Sequence, residues 1–186
     1  MSKNLFLIIL LSALFINLDA QNKISKPLSS QYELSSIIPI KSFINTPIIV
    51  DNKGKNYPPQ AGYTFPIKIS LVDGIIDSTF SGYIWRISIE IKNSTSTNFY
   101  LSNVNLKGDQ SLFLYSQEKK HIYEYTSGEY NNISTDFIDG DKIIVELNSK
   151  SEITKIPFQV REVGILFDHQ RGFGDAGNCE VHVNCS

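Results

Sequence analysis

The sequence contains two thiols, Cys179 and Cys185, and they lie close together in the segment "CEVHVNC". If this segment is a strand, alternate residues share a face, so both thiols point toward the buried side. Extended chain over this distance separates the two α-carbons by roughly 20 Å, whereas a disulfide tolerates about 7 Å at most. We therefore expect no bond between these two cysteines, and in an oxidising compartment each of them requires a different partner.

The remaining residues with reactive side chains do not form a complete catalytic or metal-binding set. Ala176 stands in the segment "GDAG" where the nucleophile loop of a trypsin-type protease has serine, so the loop has no hydroxyl to attack a carbonyl. No Gly-x-Ser-x-Gly motif accompanies His121, His169 or His182. The cysteine spacing also differs from that of zinc knuckles, whose cysteines lie about two to four residues apart. The sequence therefore predicts no catalytic residue, no metal site and no cofactor.

Three aspartates in the segment "DFIDGDK", Asp136, Asp139 and Asp141, carry the oxygen ligands that a hard cation such as calcium prefers. The Asp-Gly pair in the same segment lies between two apolar runs, which is also the usual residue choice for a hairpin turn. We interpret the segment as a turn and keep calcium binding as the alternative.

Two further features concern the surface of the protein. Tyr123, Tyr125 and Tyr130 in "HIYEYTSGEY" could stack on a sugar or a peptide. Tyrosines that alternate along a strand more often belong to the core and to interfaces, and we favour that interpretation. Asn93 and Asn132 match the acceptor pattern for N-glycosylation, whose use depends on the host.

The first twenty residues have the composition of an export signal. Lys3 provides a positive start, an apolar run follows, and cleavage is expected after Ala20. A membrane anchor is the alternative, but the stretch Leu5–Leu18 is shorter than the roughly 20 apolar residues that a span needs. We predict a signal peptide over residues 1–20 and a secreted, periplasmic or extracellular protein with no membrane attachment after cleavage.

The charge of the mature chain does not favour a polyanionic partner. Cleavage of the signal removes Lys3 and Asp19 together, so the net charge stays at −2. This balance attracts neither nucleic acid nor an anionic membrane. Roughly 166 residues remain, which is enough for one domain to bury a core without disulfides.

The body of the chain divides into a lead-in and a β-rich domain. Residues 21–62 are rich in Ser, Asn, Lys and Pro and are predicted to form an extended lead-in with little regular structure. Residues 63–168 contain about seven runs of β-branched and aromatic residues, separated by turns such as Asp73-Gly74, Gly108-Asp109 and Asp139-Gly140. The runs are "FPIKISLV", "YIWRISIEI", "NFYLSNVNL", "SLFLYS", "HIYEYTS", "DKIIVEL" and "PFQVREVGILF". Because no stretch has helical spacing, we predict an all-β fold, an antiparallel, jelly-roll-like β-sandwich.

Two of these runs carry more detailed predictions. In "YIWRISIEI" Trp85 lies on the apolar face and Arg86 on the opposite, mostly polar face. This alternation predicts a half-buried strand with Trp85 in the core. In "NFYLSNVNL" the apolar positions change parity, which predicts a β-bulge near Asn103.

The segment "RGFGDAGNCEVHVNCS" resembles the junction before the catalytic domain in bacterial secreted trypsin-like serine proteases of the lysyl-endopeptidase type. Cys179 and Cys185 match the Cys-x-x-x-x-x-Cys segment that opens the mature protease in that family. The strands "YIWRISI" and "LFLYSQ" and the segment "DGDKIIVEL" are also similar to that family's pro-region. The resemblance therefore covers most of residues 63–186.

This resemblance implies that the chain is the pro-region of such a precursor plus the start of its catalytic domain, truncated before the catalytic residues. Residues 169–186 would be the junction, with Arg171 as a processing point. Cys179 and Cys185 would form disulfides to the missing domain, which is the partner in cis. The pro-region would assist folding of the protease or inhibit it. The alternative is a stand-alone secreted β-sandwich that binds carbohydrate or a cell-surface protein.

Overall fold

A computed structural model describes residues 25–34, 36–43, 62–118 and 122–166, which form two β-sheets. Within these ranges the chain forms eleven strands, and every pairing except that of the first strand is antiparallel. The strands are β1 (Ile40–Phe43), β2 (Gly62–Pro66), β3 (Ile75–Thr79), β4 (Gly82–Ile91), β5 (Ser96–Leu106), β6 (Gln110–Ser116), β7 (Ile122–Tyr125), β8 (Gly128–Ser134), β9 (Ile138–Asp139), β10 (Lys142–Ser149) and β11 (Gln159–Leu166). Two short 3-10 turns occupy Leu28–Ser30 and Leu71–Asp73.

The strand pairing has the nested order of a jelly roll. Sheet A contains the order β4-β10-β6-β7, and sheet B has the order β2-β11-β5-β8. Along the chain, β2 pairs with β11, β4 with β10, β5 with β8 and β6 with β7. Each pair thus lies inside the previous one, as in a long hairpin folded over itself into two Greek keys. The predicted antiparallel jelly-roll-like sandwich is confirmed.

Three additional strands extend this frame. Strand β4 pairs with β10 along one edge. Along its other edge it pairs with β3 over Gly82–Arg86 and, in parallel, with β1 over Ser88–Ile91. The two-residue strand β9 pairs with the start of β5. The segment expected to be a lead-in with little regular structure therefore contributes an edge strand to sheet A.

The core lies between the two sheets, and Trp85 is one of its fully buried residues. The indole Nε1 of Trp85 donates a hydrogen bond to the carbonyl of Leu71 at 2.8 Å, and its ring meets Phe158 edge-on at 6.2 Å between centroids. A β-carbon added to Gly74 would lie 2.4 Å from the indole, so this position has room only for glycine. The prediction that Trp85 is a core residue is confirmed.

Strand β4 is buried on both faces, so the predicted half-buried strand is wrong. Arg86 and Ser88, on the face expected to meet solvent, are only 5% and 7% exposed. Their face is covered by residues that precede β1, which the alternation of β4 alone does not reveal. This second covered face is the part of the fold that sequence patterning missed, and it contains the candidate site.

The turns and strand ends also differ from expectation in places. Gly108-Asp109 and Asp139-Gly140 are turns, but each joins a strand of sheet B to a strand of sheet A and forms no hairpin. The strand predicted over "FPIKISLV" ends at Pro66 and gives way to the turn at Leu71–Asp73. At the start of that turn the Asp73 carboxylate accepts hydrogen bonds from the backbone N–H and the hydroxyl of Ser70, at 2.7 and 2.8 Å.

The predicted change of parity in β5 occurs at Asn103. Asn103 has a left-handed backbone with φ of 51°, and the buried positions change from Leu101 to Val104 across it. The register shift itself lies on the neighbouring strand β11, between Val160 and Glu162. The extra residue there, Arg161, lies opposite Tyr100 and Leu101, and β5 keeps one register with β8 across Asn103, so the predicted β-bulge is not found in β5 itself.

The predicted signal peptide and the predicted junction, residues 169–186, lie outside the described residues. Within the ranges that are described, no helix is long and apolar enough to cross a bilayer.

Candidate functional site

A buried polar cluster lies on the outer face of sheet A, the face turned away from the core. Arg86 on β4 and Glu146 on β10 are directly opposite in the antiparallel register, so they share this face. The hydroxyl of Tyr115 on β6 donates a hydrogen bond to Glu146 Oε2 at 2.6 Å. Arg86 forms an ion pair with Asp77 on β3 at 2.6 Å. The cluster is covered by the described part of residues 25–39, which we call the N-terminal strap.

Two serines of the N-terminal strap bind the cluster directly. Ser29 donates its backbone N–H to Glu146 Oε1 at 3.1 Å and its hydroxyl to Glu146 Oε2 at 2.6 Å. Ser36 donates its hydroxyl to Asp77 at 2.5 Å and accepts a hydrogen bond from Arg86 Nη2 at 2.9 Å. The strap therefore satisfies carboxylates that would otherwise be buried with fewer partners.

The same pairing of serine with carboxylate recurs at both ends of this segment. Ser25 donates its N–H to Glu124 on β7 at 2.8 Å, and its hydroxyl also binds that carboxylate. On β1, the hydroxyl of Ser42 donates to Glu90 of β4 at 2.5 Å. Four serines between positions 25 and 42 thus dock the segment onto acidic side chains of four different strands of sheet A.

An apolar cluster supports the strap beside the polar one. Phe113, Tyr115 and Ile144 are buried on the outer face of sheet A, where Ile38 of the strap and Ile122 pack against them. Burial of apolar side chains of this size is worth about 1.5–3 kcal/mol each. Hydrophobic contact and hydrogen bonding to carboxylates therefore act together to hold the strap.

The electrostatics of the site keep Tyr115 as a hydrogen-bond donor. Burial and the neighbouring Glu146 carboxylate raise the pKa of the Tyr115 hydroxyl far above its usual value, so Tyr115 stays a neutral donor. Among the described residues, Arg86 Nε and Asn148 Oδ1 are buried without a hydrogen-bond partner. The cluster presents carboxylate acceptors to donors of the strap, which is an arrangement suited to binding a chain segment.

The three tyrosines proposed as a binding platform pack against the core. Tyr123 and Tyr125 lie opposite leucines of β6 on the core-facing side, and the rings of Tyr125 and Tyr130 meet edge-on at 6.2 Å. Burial raises the pKa of Tyr125 to about 12, and burial together with Asp136 raises the pKa of Tyr123. These residues close the end of the sandwich between β7 and β8, in agreement with the favoured interpretation as core.

The segment with three aspartates is a turn, as interpreted. Gly140 has a φ of 106° and Asp139 accepts a hydrogen bond from Ser96 at 3.1 Å. Within the described ranges, no group of three or more His, Cys, Asp or Glu side chains is arranged to hold a metal ion. The two glycosylation sequons are at exposed asparagines, Asn93 in the turn after β4 and Asn132 on β8.

Several residues singled out by the sequence lie outside the described residues. The disulfide and processing positions are among them, as are all three histidines and the alanine of "GDAG". These residues are Arg171, Cys179, Cys185, His121, His169, His182 and Ala176.

The sequence contained one signal for the cluster that patterning did not use. Glu146 interrupts the apolar run "KIIVEL", and a carboxylate inside such a run needs a buried partner. The serine-rich start of the lead-in supplies that partner through Ser29.

No protein-family model matches the chain, and a search of curated proteins finds no match.

Proposed function

We propose that this chain acts as the non-catalytic N-terminal pro-region of a secreted serine endopeptidase precursor, which it helps to fold or keeps inactive. The observation that supports this proposal best is the position of β11, the last strand within the described residues. Strand β11 ends at Leu166 and lies between β2 and β5 in the interior of sheet B. The last strand of the described residues thus ends five residues before Arg171, where the segment that resembles a pro-region junction begins.

In this function the sandwich contributes a binding surface and no chemistry of its own. Its partner is the catalytic domain of the protease, joined to it in cis. Arg171 is the processing point between the two parts. Cys179 and Cys185 belong to the catalytic side of the junction and pair with cysteines of that domain.

The first test is the genomic DNA that follows the codon for Ser186. We expect a continuing or frameshifted reading frame that encodes a trypsin-like catalytic domain. A terminator without any protease remnant downstream would contradict the proposal.

The second test uses that catalytic domain, denatured and then diluted into native buffer with or without the purified chain. We expect the chain to increase the recovered hydrolysis of lysyl amide substrates, or to inhibit the native protease when added afterwards. The matched control is a jelly-roll domain of similar size from an unrelated protein. Equal recovery with both domains, together with no inhibition, would refute the proposed role.

The alternative function, binding of carbohydrate by an aromatic platform, has less support. Its candidate platform was Tyr123, Tyr125 and Tyr130, and these rings are partly buried against the core. The part of each ring that packs against the core is not available for stacking on a sugar.

A further inference from the structure

A cleft of about 250 Å³ lies on the outer face of sheet B, the face turned away from the core. Tyr100 of β5 lines this cleft. Its neighbours Phe99 and Leu101 are core residues, so the alternation of a strand directs Tyr100 outward. The register places Tyr100 opposite Glu162 on β11 and Ser134 on β8. The cleft therefore crosses three strands, with an aromatic side chain on the middle one.

The bulge in β11 brings a second charged side chain to the cleft. Arg161 and Glu162 are consecutive, and in a regular strand they would point to opposite faces of the sheet. Arg161 is the extra residue of β11, and both side chains line the cleft. Bulges re-aim side chains in this way and are over-represented beside active sites. The irregularity of β11 thus adds a guanidinium to a carboxylate on the same surface.

The polar groups of the cleft are available to a ligand. Asn132 is exposed, and Tyr100 is partly exposed. Within the part of the chain that the structure describes, neither the Tyr100 hydroxyl nor the Asn132 amide forms a hydrogen bond. The ion pair between Arg161 and Glu162 is long, at 3.8 Å. The cleft therefore offers both donors and acceptors, and its one cation and one anion leave it without net charge.

These features favour a sugar over a peptide or a polyanion. Strands β5 and β11 are interior strands of sheet B and pair on both sides, so a peptide cannot add to them as a further strand. A polyanion needs several cations, and the cleft has Arg161 alone. A neutral sugar ring has hydroxyl groups around its rim and C–H groups on its face. The hydroxyls match the amide, guanidinium and carboxylate, and the C–H face matches the ring of Tyr100.

We propose that this cleft binds one ring of a neutral saccharide, which stacks on Tyr100 and is hydrogen-bonded by Asn132 and by the pair Arg161 and Glu162. The volume suits a single ring, since pockets for larger ligands measure roughly 300–1,000 Å³. The cleft is separate from the tyrosines that close the sandwich between β7 and β8. This inference goes beyond the proposed function and does not depend on it.

The test uses the full chain, produced in a host that does not glycosylate Asn132. The chain is titrated with maltose, cellobiose, lactose and chitobiose, and separately with a sulfated disaccharide, while amide NMR spectra are recorded. We expect at least one neutral disaccharide to bind and to shift the amide signals of β5, β8 and β11 around Tyr100. Absence of binding by all four, binding of the sulfated sugar alone, or shifts confined to residues 122–130 would overturn the proposal.

Substitutions then test the roles of the side chains with the disaccharide that binds. Tyr100→Ala should weaken binding about tenfold, and Tyr100→Phe less than about threefold, because phenylalanine keeps the ring. Asn132→Ala should weaken binding about threefold through the loss of a hydrogen bond, and it leaves the core intact because Asn132 is exposed. Asn132→Ala therefore keeps the test valid if Tyr100→Ala does not fold.

Tyr32→Ala is the matched control, since Tyr32 is also a partly exposed tyrosine but belongs to the strap on sheet A. We expect this variant to bind the disaccharide like the unchanged chain. Unchanged affinity in Asn132→Ala and in any folded Tyr100→Ala, or equal weakening by Tyr32→Ala, would show that the sugar does not bind in this cleft.

Discussion

Replacement of Glu146 by alanine should release the N-terminal strap and destabilise the whole sandwich. Glu146 is fully buried and accepts short hydrogen bonds from Tyr115 and Ser29, both at 2.6 Å. A hydrogen bond to a charged group contributes about 1.5–3 kcal/mol, so the loss of two predicts about 3–6 kcal/mol. The Tyr115 hydroxyl would lose its carboxylate acceptor on a buried face, which opposes relaxation.

Urea denaturation measures the global effect of Glu146→Ala, and hydrogen exchange of residues 25–39 measures the local one. Glu124→Ala is the matched control, because Glu124 also binds a strap serine but does so at an exposed site. Exposed interactions of this kind contribute at most about 1 kcal/mol. A destabilisation by Glu146→Ala below about 1 kcal/mol, with unchanged exchange in the strap, would refute the reasoning.

Other predictions concern the core, the pH dependence and the junction. Trp85→Ala should destabilise the fold by about 3–5 kcal/mol in denaturant melts, and Gly74→Ala should also destabilise it, because its methyl group would meet the indole. Burial raises the pKa of Tyr125 to about 12. The neutral Tyr125 hydroxyl therefore stabilises the fold fully below about pH 10, and this stabilisation is lost as the pH rises toward 12. Tyr125→Phe should remove that part of the loss of stability at alkaline pH. Limited trypsin digestion should cut first at Arg171, and a first cut within residues 83–147 would contradict the proposed junction.

The sandwich was predictable because its core-facing residues alternate over short runs. Trp85 and its neighbours on β4 clearly alternate between apolar and polar residues. Seven such runs without helical spacing are compatible with only a few fold architectures, all of them built from β-strands. The change of parity at Asn103 was visible in the same way. Each of these signals is local, since it depends only on residues within one strand.

The parts that the sequence did not reveal depend on contacts between distant segments. Arg86 has the position of a solvent-facing residue within β4, yet it is buried because the strap crosses the outer face of sheet A. Asp139-Gly140 has the composition of a hairpin turn, but the turn leads to the other sheet. A strand's own pattern shows which residues share a face and does not show which segment covers that face.

Asp77 connects the buried cluster with the edge of sheet A. Its carboxylate binds Ser36 of the strap and pairs with Arg86 of the buried cluster, while its backbone belongs to the β3 edge. The charge of that edge therefore depends on the cluster, because Asp77 without Arg86 would carry an unpaired negative charge. Release of the strap would remove the Ser36 contact and leave the Arg86 pair more open to solvent, where ion pairs are weaker. Docking of the strap and the Arg86–Asp77 ion pair should consequently support each other, and Glu146→Ala should weaken both.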